Sequence, residues 1–129
     1  MNETTGFITT LAATLICLGG AVMTGRAAKR RAHLTWVSGA VLFLATTIHF
    51  AEELGKLYEL EAAGWIYPFH LLLAQVTSVA YLVVIVSGVA TLKKAGRRKT
   101  HGRIAYSVLG LTVITAITGV WMILKAPLL

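Results

Sequence analysis

The chain has 129 residues, of which 57% are apolar and only 13% charged, about half the ~25% charged share of an ordinary soluble domain. That deficit, with long apolar runs, marks an integral membrane protein. One cysteine, Cys17, excludes a disulfide scaffold, and the net charge of +7 is gathered beside apolar runs, which points to a membrane surface and away from nucleic acid.

Crossing ~30 Å of hydrocarbon takes about 20 apolar residues as a helix. The first such span is residues 6–24. It has no basic start, and the cluster Arg26, Lys29, Arg30 and Arg31 follows it. That order is the reverse of a signal peptide and fits a retained helix. Span two is residues 34–54, followed by a polar stretch that carries Glu59 and Glu61 beyond the Glu52–Glu53 pair. Span three is residues 68–92, with Pro68 in the first turn, where its missing N–H leaves nothing unpaired. The second basic cluster follows: Lys93, Lys94, Arg97, Arg98, Lys99 and Arg103. Span four is residues 104–124.

Ten of the twelve basic residues lie in those two clusters, and all five acids lie elsewhere. The positive-inside rule then puts both clusters on the cytoplasmic side and the two termini outside. The expected fold is all-α: a single antiparallel four-helix transmembrane bundle over residues 1–129, N-out and C-out, in the plasma membrane of a bacterium or archaeon. Its first partner is the lipid bilayer, and homo-oligomers are compatible with this design. A faint internal repeat aligns Gly20 with Gly88, Lys29-Arg30-Arg31 with Arg97-Arg98-Lys99, and His33 with His101.

The four histidines are the informative residues, because an ionisable side chain at membrane depth is costly and suggests function. In this topology His49 and His70 share the outer level, and His33 and His101 the inner level. A pair of imidazoles at one depth on different helices has the chemistry of the axial ligands of a b-type haem. His49 and His70 are the better iron ligands, since both lie inside apolar runs; His33 and His101 are candidates for a second haem iron. Ala45 and Ala74 stand one turn from the outer histidines. Thr115, Thr118 and Gly119 lie at the same level of span four, where a hydroxyl can hold a ligand's second nitrogen. His33 and His49, 16 residues apart, point roughly 160° apart on a straight helix at about 100° per residue, so they cannot both face one axis. The competing reading is that the histidines bridge helices or meet headgroups without metal. Copper or zinc is a further option for imidazole, though a closed zinc site wants four ligands close together.

Weaker candidates are read as structural. Trp65, Tyr67, Trp36 and Tyr106 suit the aromatic belts. Gln75 is expected to bond a neighbouring helix or, less readily, a quinone. Gly19, Gly20, Gly39, Gly88 and Gly110 are expected to allow close helix approach. Cys17 reads as a small buried residue, and Glu52–Glu53 as a solvated helix end. No nucleophile–base pair, phosphate loop or metal-hydrolase motif is present, so hydrolytic catalysis is not expected.

Several short motifs carry a resemblance. Ala32-His33 opens span two and Ile48-His49-Phe50 closes it. Ile66-Tyr67-Pro68-Phe69-His70 opens span three, Lys99-Thr100-His101-Gly102-Arg103 opens span four, and Thr115-Ala116-Ile117-Thr118-Gly119-Val120 runs down it. Over roughly residues 26–126 this resembles the small four-helix, four-histidine membrane proteins of the CtaM/YozB type. The resemblance implies haem or metal binding by His33, His49, His70 and His101, and a role in maturation of a respiratory terminal oxidase. Span four is also similar to membrane b-type cytochromes, which implies electron exchange with quinone. Two functions therefore stand open, electron transfer and oxidase assembly. Beside them stand a structural accessory subunit of a larger complex and a copper-handling assembly factor.

Overall fold

The computed structural model describes residues 2–129. They form four long helices, α1 (Glu3–Arg26), α2 (Arg30–Gly55), α3 (Ile66–Lys93) and α4 (Arg98–Lys125), with short 3-10 turns at Leu60–Ala63 and Ala95–Arg97. No strand occurs among the described residues. All four helices are long and apolar enough to cross a membrane; at about 1.5 Å per residue even the shortest extends ~36 Å. Each helix overruns its expected span by one to six residues at each end. The overrun follows from the flanking residues, mostly good helix formers that cost nothing in the polar headgroup zone. Pro68 falls within the first turn of α3 as expected.

The chain divides into two compact units, one ending at Tyr58 and the other covering Glu59–Leu129. The first is the α1–α2 hairpin. Asn2 opens α1, its side chain accepting from the Thr5 N–H at 2.8 Å, which satisfies one of the orphan donors of the first turn. The buried residues of α1 are Gly6, Thr10, Thr14, Cys17 and Ala21, and those of α2 are Ala40, Thr47 and Leu54. The α1 set recurs about every half-heptad and the α2 set every heptad, spacings that keep one stripe against a neighbouring helix. Contacts step down α2 as they step up α1. Phe50 lies over Gly6, Thr14 meets Thr47 at 3.2 Å, Cys17 touches Gly39, Trp36 covers Gly20, and His33 lies over Gly25.

The α1–α2 turn is closed by Ala28 in the left-handed region, at φ 56°. The Lys29 N–H bonds the Thr24 carbonyl at 2.9 Å and the Ala28 N–H bonds the Gly25 carbonyl at 3.2 Å. This is the Schellman arrangement, with alanine at the position that glycine usually fills.

The second unit is the α3–α4 hairpin with its lead-in turn. Gly64, at φ 76°, lets the chain leave that turn and enter α3. Ile66 at the start of α3 is 1% exposed, and the Glu59 N–H bonds the Pro127 carbonyl at 2.9 Å. Trp65 stands edge-on to Trp121 with ring centres 5.5 Å apart, and the Lys125 ammonium lies over Trp121. These contacts tie the lead-in turn to the C-terminal end of α4.

Candidate histidine sites

His70, one turn into α3, points at α4. Its Nδ1 lies 3.0 Å from the Thr118 hydroxyl. A Cβ added to Gly119 would sit 2.8 Å from Cε1 of His70, so only glycine lets the imidazole lie against the helix. The Thr118 hydroxyl also reaches the Thr115 carbonyl at 3.0 Å. A His70 tautomer with hydrogen on Nδ1 satisfies both bonds and would leave the lone pair on Nε2. Of the outer-level residues singled out in span four, Thr118 and Gly119 hold the His70 ring. The Thr115 backbone also bonds it, while the Thr115 side chain meets Thr77 at 2.8 Å.

His101, in the first turn of α4, repeats this arrangement on α3. Its Nδ1 is 2.8 Å from the Ser87 hydroxyl, and a Cβ on Gly88 would come within 3.2 Å of its ring. The Ser87 hydroxyl also reaches the Val84 carbonyl at 2.9 Å, and a His101 tautomer with hydrogen on Nδ1 satisfies both bonds. His33, near the start of α2, approaches α1 in the same way. Its Nδ1 is 2.8 Å from the Ala21 carbonyl, which can only accept, and Gly25 makes room for the ring. All three rings therefore place Nδ1 on the facing helix of their own hairpin, and one neutral tautomer, with hydrogen on Nδ1, fits all three.

His49 differs. It is exposed on α2, its ring lies 5.6 Å from that of the adjacent Phe50, its charge acts on Glu53 one turn on, and no hydrogen bond to it is seen among the described residues. The residues of α2 that face α1 include His33, Trp36, Gly39, Thr47 and Phe50. His49 lies off that stripe, as the angular offset from His33 requires.

Within a hairpin the histidines lie far apart along the axis. His70 is 17 residues from Ser87, the anchor of His101 on the same helix, about 25 Å at 1.5 Å per residue. His33 and His49 are separated by a similar distance on α2. No two histidines of one hairpin can therefore share an iron. Among the described residues no group of three or more histidine, cysteine or acidic side chains lies close enough to hold a metal ion.

Beside His101 a groove of about 410 Å³ opens along α3 and α4. Val83, Val86, Ala90 and Ile104 give it an apolar wall, and Arg97 and Thr100 stand at its polar end.

Several expectations need correction. Gln75, expected to bond a neighbouring helix, is exposed on α3. Gly19 and Gly110 would meet nothing within 4 Å if given a Cβ, so they do not serve close packing. Trp36, still 37% exposed, also packs against Gly20 within its hairpin, a contact not expected of it. The repeat also shifts: Gly88 cradles His101, but its aligned partner Gly20 cradles Trp36, and Gly25 serves His33. Cys17 is buried as expected, and Glu53 pairs with Lys56 at 2.6 Å at the exposed end of α2.

The sequence reading did not single out Ser87, the Ala21 carbonyl, or Tyr81, whose hydroxyl lies 2.7 Å from Thr112. A serine or tyrosine on an apolar helix carries no mark of which neighbour it meets. The Ser87-Gly88 pair, a hydroxyl beside a position without a side chain, was the one available signal. No protein-family profile, curated protein or solved structure matches this chain.

Proposed function

We propose that this chain is an integral membrane protein, an antiparallel four-helix bundle with both termini outside, that holds b-type haem between histidine pairs. The observation that carries the reading is the placement of His70, with Nδ1 against the Thr118 hydroxyl and the ring against Gly119. Metal-bound imidazoles commonly give their other N–H to a protein acceptor, which fixes the ring and raises ligand basicity. The Thr118 hydroxyl stands where it can take that N–H from His70, which would leave Nε2 with the lone pair that iron needs. Ser87 and the Ala21 carbonyl treat His101 and His33 alike.

In this reading His49 and His70 are the axial ligands at the outer level, and His33 and His101 serve a second iron. Haem would supply one-electron chemistry. The chain's own work is to present neutral imidazoles, hold their planes through Thr118, Ser87 and Ala21, and keep water away with apolar helices. The role is respiratory electron transfer or terminal-oxidase maturation, with quinone or an oxidase complex as partner. A second reading, a haem-free accessory subunit, draws on the same contacts, because three histidines already bridge their own hairpins.

Absorption spectra of the purified protein, oxidised and then dithionite-reduced, separate the two. Haem binding gives a sharp low-spin b-type spectrum with little response to carbon monoxide. His70→Ala and His49→Ala each open a coordination position or release the haem, and His33→Ala or His101→Ala halve a two-haem content. Protein made with ample haem that carries none overturns the proposal in favour of the accessory reading. Single variants at His49 and His70 that both keep the low-spin spectrum overturn the ligand assignment.

A further inference from the structure

The turn between α3 and α4 has a built shape as well as a charge. Next to the groove beside His101 lies a smaller hollow of about 160 Å³, and the two share Ala90 and Arg97. The larger is walled by Val83, Val86, Ala90 and Ile104. The smaller is lined by Lys93, Lys94 and Arg97. An apolar trough thus runs into three cationic side chains where α3 ends. In a helix that crosses the bilayer, this end lies at headgroup depth. The acids of this unit, Glu59 and Glu61, lie before the other end of α3, about 40 Å away at 1.5 Å per residue. No carboxylate of the unit therefore competes for the cations.

We propose that this groove seats one anionic phospholipid. Its phosphate lies among Lys93, Lys94 and Arg97, and one acyl chain lies along Val83, Val86, Ala90 and Ile104. Charge complementarity selects the headgroup, since basic pockets at helix ends hold anionic lipids and each cation contributes several-fold in affinity. The apolar wall selects a lipid over a free phosphate, which would leave the trough unfilled. The site lies wholly within the second unit, and because His101 also lines the trough, haem on His101 and the acyl chain would compete for it.

Native mass spectrometry of the detergent-solubilised chain, titrated with phosphatidylglycerol and phosphatidylcholine of matched acyl chains, tests it. Phosphatidylglycerol should be retained in preference. The variant Lys93→Gln/Lys94→Gln/Arg97→Gln should lose on the order of 100-fold in affinity for it, and Arg97→Gln alone about five-fold. Ala90→Phe keeps every charge and fills the trough, so it should also weaken retention. Arg26→Gln/Lys29→Gln/Arg30→Gln, at the other basic turn, should leave retention unchanged. Equal retention of the two lipids overturns the proposal. So does an Ala90→Phe variant that binds as well as the parent, which means diffuse charge attraction. Equal affinity for glycerophosphoglycerol, which lacks acyl chains, shows an anion site only and also overturns it.

Discussion

Across α1–α2, Gly6, Gly20, Gly25 and Gly39 each receive a side chain of α2 or lie against one of α1, and Thr14 with Thr47 at 3.2 Å is a side-chain pair that hydrogen-bonds between the helices. Across α3–α4 the balance is reversed. Four side-chain pairs bond across the interface: His70–Thr118, Thr77–Thr115, Tyr81–Thr112 and Ser87–His101. The only glycines that receive a partner's side chain there, Gly88 and Gly119, lie under the two histidines. Lipid is as apolar as leucine, so helices in a bilayer gain little from burying hydrophobic surface against each other. They associate through close approach or through polar bonds. The first hairpin depends mainly on close approach and the second mainly on polar bonds. In the second, the same polar residues that join the helices hold the rings of two of the four histidines.

That contrast can be tested by substitution, with thermal unfolding in detergent followed by circular dichroism. Gly20→Val should cost about 1–3 kcal/mol, the usual penalty for overpacking, because the Trp36 indole covers that glycine. Gly19→Ala, one residue away and facing open space, should not destabilise. Equal losses at the two positions would mean that shape does not close the first hairpin.

A smaller effect is expected at the turns. Ala28 bears the left-handed conformation that costs an L-residue roughly 1–2 kcal/mol, partly offset because glycine orders less readily. Ala28→Gly should therefore stabilise the chain by about 1 kcal/mol. A lower midpoint for this variant would show that the turn is held by contacts other than its backbone bonds.

The smallest effect is in the polar ladder. A double-mutant cycle with Thr77→Val and Thr115→Val should give a coupling of about 0.6 kcal/mol, as hydrogen bonds between membrane helices do. The matching cycle at Thr14 and Thr47, whose oxygens are farther apart, should give less. Equal couplings would remove the polar difference between the hairpins.

The four helices were legible residue by residue. Hydrophobicity is close to additive along a chain, and a bilayer of fixed thickness converts a sum over about 20 residues into a span. The charge clusters, the place of Pro68 and the burial of Cys17 were local properties of the same kind. The separation of His33 from His49 around α2 was readable too, because helical pitch alone sets it.

Which glycine meets which ring was not legible. Gly19 and Gly20 are neighbours of identical type, yet one faces Trp36 and the other faces open space. About 100° of helical rotation separates them, and nothing but a packed partner gives that rotation a meaning. The same holds for the hydroxyls. Thr115 and Thr118 were both plausible partners for His70, and packing gave the imidazole to the Thr118 hydroxyl and gave the Thr115 side chain to Thr77. The tautomer of each anchored histidine depends on which acceptor stands opposite and where that acceptor's own proton goes, as with Ser87 and Val84. A linear pattern specifies which groups a helix carries, but a hydrogen bond needs two of them within about 3 Å, and that distance exists only once the helices are in contact.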